Sequence, residues 1–194
     1  MRQRWMALVL PVALTGCGYN AIQKYDEQAQ AAQQQIEVQL QRRADLIPNL
    51  VSTVKGYAQQ EQDVFVKVAQ ARSGLIGAVQ AHDPVQMADA NQQLTGALGR
   101  LMVVAEAYPL LKSDQSFLRL QDELTGTENR IAVARTDFNK AVETYNAYIR
   151  TFPEVLTAKV TGAKARTYFN VTTPGAREAP SVDFSKPAAP AKAP

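Results

Sequence analysis

The stretch that decides the fold is FLRLQDELTGTENRIAVARTDFNKAVETY, residues 117–145. Large apolar side chains recur there at every seventh position, and a second row of apolar residues lies beside the first. The first row is Phe117, Leu124, Ile131, Phe138 and Tyr145, and the second is Leu120, Ala134, Ala141 and Tyr148. A sustained seven-residue repeat favours a long α-helix that buries one face against other helices. The pattern predicts a helix that Ser113 caps, that runs to about Thr151 and that ends before Pro153.

The same spacing occurs upstream and predicts a helix over residues 19–81. One row is Ile36, Leu50, Tyr57, Val64 and Ala71, and the other is Leu40, Ile47, Val54, Val68 and Leu75. Pro48 is the only proline in this range. It either kinks one long helix or lies in the first turn of a second helix that Asp45 caps. Arg43 and Glu61 fall on these same rows, and we favour one kinked helix.

A further helix is predicted between these two. Asp83 and Pro84 are a capping residue followed by a proline at the first helical position, and Pro109 ends the helix after about Ala107. Its apolar face is Met87, Leu94, Leu98, Leu101, Ala105 and Tyr108. Residues 154–160 predict a short fourth segment. Short connections make long helices antiparallel neighbours, so the predicted fold is all-α: an antiparallel up-and-down bundle of three long helices plus a short fourth segment, with a long N-terminal helix.

The two ends of the chain differ from its middle. Arg2 and Arg4 precede an apolar run of ten residues over 5–14, which is shorter than the roughly 17 residues that a membrane span needs and fits a signal peptide. The following Leu14-Thr15-Gly16-Cys17 resembles the lipobox of bacterial lipoproteins, in which the cysteine is lipidated after cleavage. We therefore expect a signal peptide over residues 1–16, a helical domain over 17–186, and a disordered Pro/Ala tail over 187–194.

Two other interpretations of the N-terminus stay open: an uncleaved anchor helix, and a free cysteine buried in an apolar segment. Under the lipobox or the anchor-helix reading, the protein is attached to the outer or inner membrane and faces the periplasm. Stable anchoring takes two or more acyl chains.

Composition excludes several classes of protein. The net charge of +3 falls to about +1 once Arg2 and Arg4 are removed, and the chain has no clustered basic patch with interleaved aromatics, so we expect no nucleic-acid partner. A single cysteine excludes an intramolecular disulfide and a CxxC motif. Phosphate-binding glycine loops, zinc-ligand spacings and nucleophile motifs do not occur. We expect neither a cofactor nor a metal.

Polar residues on or beside the apolar rows are the candidate site. They are Arg43, Asp45, Glu61, Glu106, Glu128, Arg135, Asn139 and Asn146. On one helix, the last four point within about 20° of a common direction. Buried charges must be paired, so the favoured interpretation is a polar network that fixes helix register. The alternative is a polar groove that binds a ligand or a partner helix.

Several stretches together resemble the LemA family. They are RRADLIPNLV at 42–51, VKGY at 54–57, EAYPLLK at 106–112, ENRIA at 128–132, Phe138-Asn139, Tyr145-Asn146 and Phe152-Pro153. The resemblance implies an antiparallel helical bundle outside the cytoplasmic membrane, with no established enzymatic activity and no catalytic residues to carry over. Some members are linked to the biogenesis of membrane organelles, which implies a scaffold.

The function predicted from the sequence is a membrane-anchored envelope protein, an interaction or scaffold protein without catalytic activity. Its expected partners are the membrane, through lipidated Cys17, and a second copy or another envelope protein. The alternative is an envelope ligand-binding or sensor protein that uses the polar groove. A third hypothesis, an enzyme that uses an acidic pair such as Glu106 and Glu128, is the least favoured because neither residue lies in a catalytic motif.

Overall fold

The computed structural model describes residues 2–170, with side chains from Gly18 onward. All regular structure in this range is helical: α1 Arg2–Lys55, α2 Gln62–Gln80, α3 Pro84–Glu106, α4 Pro109–Lys112, α5 Gln115–Tyr148 and α6 Glu154–Thr161. The all-α prediction is confirmed. The predicted Pro/Ala tail and residues 171–186 of the predicted helical domain lie outside the described residues, as do the side chains of the predicted signal peptide and of Cys17.

The single helix predicted over residues 19–81 is wrong, because this stretch forms two helices. The structure ends α1 at Lys55 and begins α2 at Gln62, so residues 2–170 contain four long helices in place of three. Gly56 directly follows α1, and glycine disfavours helix continuation because its backbone has the most freedom to lose. Tyr57 was predicted in the buried row but is 39% exposed. Its hydroxyl instead donates to Asp114 at 3.0 Å.

Pro48 lies inside α1 without ending it. Proline has no N–H, so the carbonyl of Ala44, four residues earlier, loses its helical donor. The guanidinium of Arg72 on α2 replaces that donor: its Nε donates to the Ala44 carbonyl at 2.8 Å. Because Ala44 is 1% exposed, water cannot do the same. The helix therefore tolerates its proline because a neighbouring helix satisfies the freed carbonyl.

Aspartates cap two of the long helices. Asp83 accepts from the backbone N–H groups of Val85 and Gln86, with Pro84 at the first helical position, as predicted. The cap predicted at Ser113 is wrong, because Asp114 caps α5 by accepting from the N–H groups of Ser116 and Phe117 at 2.8 and 2.9 Å. Ser113 instead ends the short helix α4.

The helices are arranged as a bundle on a two-helix stalk. α1 and α5 pair antiparallel: Tyr57 meets Asp114 at one end, and Ile22 packs with Tyr145 and Ile149 at the other. The α2–α3 hairpin covers only part of this pair, and its tip at His82 reaches Gln33 of α1. We call residues 18–32 of α1 and 135–148 of α5 the stalk. Most residues of the rows predicted for α3 and α5 lie in the core, together with buried residues of α1 and α2.

Candidate functional site

Arg43 of α1 is the polar centre of the bundle. Its side chain is buried at 4% exposure. The Nη1 lies 2.5 Å from Asn91 Oδ1 on α3 and 2.5 Å from Glu128 Oε2 on α5. The Nη2 donates to Thr95 Oγ1 at 3.0 Å. A single guanidinium thus joins three helices.

The charge of Arg43 is buried and paired, as in an ion pair that stabilises a fold. Burial lowers the pKa of Arg43, and the attraction of Glu128 opposes that shift. An arginine in a protein stays protonated, so the charge is retained and needs its partner. The Glu128 side chain is 44% exposed, which leaves water to share the solvation of the carboxylate. Truncating Arg43 should therefore lower the free energy of unfolding by less than breaking a fully buried ion pair does.

Asn139 and Asn146 of α5 hold the C-terminal segment, which we define as residues 163–170. Each asparagine binds the backbone of one residue in this segment: its side-chain oxygen accepts from the N–H of that partner residue, and its NH₂ group donates to the carbonyl of the same partner. Asn146 pairs with Arg166 at 2.8 and 2.9 Å, and Asn139 with Phe169 at 2.9 and 3.3 Å. Seven helical residues rise about 10.5 Å, and three extended residues span about 10 Å. The two spacings match, so both amides engage one extended chain.

An ion pair fixes the same segment to α1. Arg166 binds Asp26 through two parallel contacts, Nε–Oδ1 at 2.7 Å and Nη2–Oδ2 at 2.9 Å. The hydrogen bond to Asp26 raises the pKa of Arg166. Burial, and then the charge of Asp26, raise the pKa of Tyr145, whose ring lies 6.0 Å from the guanidinium carbon. Together with Phe169, which is 3% exposed, these contacts make the segment part of the folded domain.

The remaining predicted residues are not brought together. Asp45 is exposed and accepts from Gln41 at 2.9 Å. Glu106 is exposed and pairs with Lys112. Glu61 precedes α2 but its side chain does not cap that helix, and Arg135 is exposed.

The four polar residues that share a side of α5 therefore divide among separate partners. Glu128 meets Arg43, whereas Asn139 and Asn146 hold the C-terminal segment. Glu106 and Glu128, the acidic pair considered for catalysis, are each bound to a different cation. The polar groove suggested by the sequence is not formed by these side chains.

His82 was not among the predicted residues, yet it connects the hairpin tip to α1. Its backbone φ of 53° lies in the left-handed region, which a non-glycine residue adopts only where the turn demands it. The ring Nδ1 lies 3.0 Å from Glu37 Oε1, and the His82 carbonyl accepts from Gln33 at 2.9 Å. The sequence gives no signal for these partners, because they lie on another helix.

An open groove of about 570 Å³ runs between α1 and α5. Its walls are Ala31, Ala32, Gln35, Gln39, Asn129, Arg130, Val133, Ala134 and Asp137. All nine belong to α1 or α5, so the α2–α3 hairpin does not cover the groove. At about 100° per residue, Asn139 and Asn146 lie roughly 120–140° around α5 from Val133, so the groove and the C-terminal segment occupy different sides. The Oε1 of Gln39 is buried and lacks a hydrogen-bond partner among the described residues.

Over the part of the chain with described side chains, no group of three or more histidine, cysteine or acidic residues could hold a metal ion. Nor does any described helix combine the length and apolarity required to cross a bilayer.

The fold and these contacts define a helical-bundle protein whose polar residues brace a two-helix stalk. A model of the family described as "LemA family" matches residues 32–184. The chain therefore belongs to the LemA family. The match extends beyond α5 through the C-terminal segment, which agrees with the packing of that segment into the domain.

Curated relatives extend the comparison. Magnetosome protein MamQ 2 of Paramagnetospirillum magneticum is 30% identical over 187 residues, covering 84% of this chain and 69% of the relative. Magnetosome protein MamQ of Magnetospirillum gryphiswaldense is 31% identical, covering 78% of this chain and 64% of the relative. Protein LemA of Metamycoplasma hominis is 25% identical, covering 69% of this chain and 60% of the relative. The similarity thus covers most of this chain and a smaller share of each relative.

Proposed function

We propose that this protein is a membrane-anchored envelope scaffold that holds a protein-binding groove at a fixed distance from the membrane, without catalytic activity of its own. The observation that carries the proposal is the open groove between α1 and α5. The longest paired helices of the fold leave this face uncovered, whereas the polar residues predicted as a site are bound within the domain.

The stalk supports the fixed distance. The helix α1 has no break between Arg2 and Lys55, so Cys17 and the bundle lie on one helix. The hairpin tip reaches α1 at Gln33, sixteen residues after Cys17, which is about 24 Å along a helix. The bonds from Asn139, Asn146 and Asp26 to the C-terminal segment stiffen the stalk.

The composition of the groove supports a protein partner. Three alanines in its walls permit close approach of another backbone, and Val133 in the same walls is 62% exposed. Relatives named for a cell structure, the magnetosome, support an assembly role for this chain.

Attachment through Cys17 is part of the same proposal. The lone cysteine occupies the one place where the lipobox pattern needs a thiol. Two or three acyl chains at that position would anchor the protein stably, with the bundle facing the periplasm. The membrane-associated setting agrees with membership of the LemA family.

The test is site-specific photo-crosslinking of the full chain in its native host. A photo-reactive residue replaces Gln35, which lines the groove, and the control replaces Gln70, which is also exposed but lies on α2. We expect a discrete crosslinked protein from position 35 and none from position 70. Capture of the chain itself identifies a homo-oligomer, and capture of a different protein identifies an adaptor. Absence of crosslinks at position 35, or the same products at both positions, would contradict the proposal.

A further inference from the structure

The outer face of α6 is apolar, which is unexpected for a helix on the surface of a protein. Ala158 is the buried residue of this helix, at 4% exposure. Leu156 and Val160 lie two residues before and two residues after Ala158, a rotation of about 200° in each direction, so both are on the side of the helix opposite Ala158. They are 56% and 89% exposed. A surface helix normally presents polar residues on the face away from the core. Phe152, two residues before α6, is also 75% exposed.

The position of α6 brings this face beside the N-terminal anchor. A Cβ built on Gly18 would lie 3.3 Å from Thr157 Oγ1, so α6 packs closely on α1 at this glycine. Gly18 is the residue after Cys17, where the acyl chains are proposed to attach. The exposed apolar residues of α6 are therefore within one helix width of the membrane surface in the anchored protein.

The charges around α6 favour an anionic surface. Arg150, Lys159 and Lys164 are exposed, whereas Glu154 is the only acidic residue between positions 149 and 170. The fourth cation of this stretch, Arg166, is paired with Asp26. Apolar residues flanked by lysine and arginine are typical of segments that lie on anionic lipid headgroups. Tyr19, which is 45% exposed, is of the residue type that collects at membrane interfaces.

We propose that α6 and the turn before it form a membrane-contact surface, in which Phe152, Leu156 and Val160 enter the headgroup region of a bilayer that contains anionic phospholipid. This inference rests on the proposed anchoring near Cys17. It adds a second attachment point to the anchor, so the stalk leaves the membrane in one orientation, and the groove between α1 and α5 faces a defined direction. A second copy or another protein on the same face is the competing occupant.

Tryptophan fluorescence of the full chain tests the contact. The chain has one tryptophan, Trp5, which is replaced in a Trp5→Phe background. Leu156→Trp reports on α6, and Val66→Trp, at a position of α2 that is 51% exposed and outside the groove, is the matched control. Both proteins, processed by the host, are reconstituted into phosphatidylcholine vesicles with and without phosphatidylglycerol, and into the same vesicles made with brominated acyl chains.

We expect the tryptophan at position 156 to emit at shorter wavelength and to be quenched by brominated lipid several-fold more than the one at position 66. The difference should grow with phosphatidylglycerol and decrease when Lys159→Gln and Lys164→Gln are added. Substituting Lys140→Gln, exposed on α5, should leave the quenching unchanged.

Flotation of the vesicles separates the two proposals. If the protein floats but position 156 emits as in water, the membrane contact of α6 is overturned and the anchor stands. If position 156 emits at shorter wavelength without quenching by brominated lipid, a protein covers this face, which also overturns the inference. If the protein does not float at all, the anchor fails and the contact of α6 fails with it.

Discussion

The hydrogen bond from Arg72 to the Ala44 carbonyl predicts that the stabilising effect of Arg72 depends on Pro48. The substitution Arg72→Met keeps the apolar stem of the side chain but removes the donor. The Ala44 carbonyl then has no hydrogen-bond donor, although Ala44 is only 1% exposed. An unsatisfied buried acceptor costs about 1–3 kcal/mol. Because Arg72 itself is half-buried, we expect the free energy of unfolding to fall by about 2 kcal/mol.

The same substitution should cost much less when residue 48 has an N–H. In a Pro48→Ala background, the amide of residue 48 can donate to the Ala44 carbonyl within the helix. We therefore expect Arg72→Met to cost about 0.5 kcal/mol there, which gives a coupling energy of about 1–2 kcal/mol between residues 48 and 72. The gain in helix propensity from replacing proline cancels in the double-mutant cycle.

Urea unfolding followed by far-ultraviolet circular dichroism measures all four proteins of the cycle. The substitution Arg100→Met, at an exposed arginine of α3, controls for the loss of a charge. Equal costs of Arg72→Met in the wild-type and Pro48→Ala backgrounds would refute the reasoning, because the carbonyl would then not depend on Arg72.

Four further outcomes are expected. Asn146→Ala removes two hydrogen bonds to the Arg166 backbone, so amide hydrogen exchange at that residue should quicken about thirtyfold, at about 1 kcal/mol per bond; unchanged exchange would contradict the pairing. Arg43→Met should lower the free energy of unfolding, measured by urea unfolding, by about 2–3 kcal/mol. Unaltered stability would contradict the burial of Arg43. The hydrogen bond from a backbone N–H of α5, and then the one from the Tyr57 hydroxyl, lower the pKa of Asp114 in the folded protein. The ionised carboxylate therefore stabilises the fold fully above the ordinary aspartate pKa of about 3.9, and this stabilisation is lost as the pH falls through the lower pKa of the folded state. Asp114→Asn should therefore make unfolding less sensitive to acid below about pH 4, and parallel acid curves would argue against it. Cys17→Ser should abolish incorporation of labelled palmitate in the host; continued labelling would place the acyl chain elsewhere.

The helices that the sequence predicts well are those with a local signal at one end or a continuous apolar repeat. Asp83 and Pro84 mark the start of α3, and the seven-residue repeat of α5 continues to its last turn. The break at Gly56 was not predictable from periodicity, because Val54 and Val68 are fourteen residues apart. The apolar rows of α1 and α2 therefore stay in phase although the chain reverses between them.

The partners of the candidate site were beyond prediction because they are distant in the chain. The spacing of Asn139 and Asn146 places them correctly on one side of α5, but the groups that they bind are backbone amides without a sequence signal. Asp26 and Arg166 are 140 residues apart. The role of Arg72 has no sequence signal for the same reason: only the fold shows that a carbonyl freed by proline lies beside it.

The most direct test of the proposed scaffold is the native mass of the complex extracted from host membranes. We would compare the wild-type chain with a variant that carries Ala31→Arg and Val133→Arg, which fill the groove from its exposed walls. Val66→Arg with Ala69→Arg, at exposed positions of α2, is the matched control. We expect the wild type and the control to have the mass of a complex and the groove variant that of a single chain. A single chain in all three proteins, or a complex that survives the groove substitutions, would contradict the proposed function.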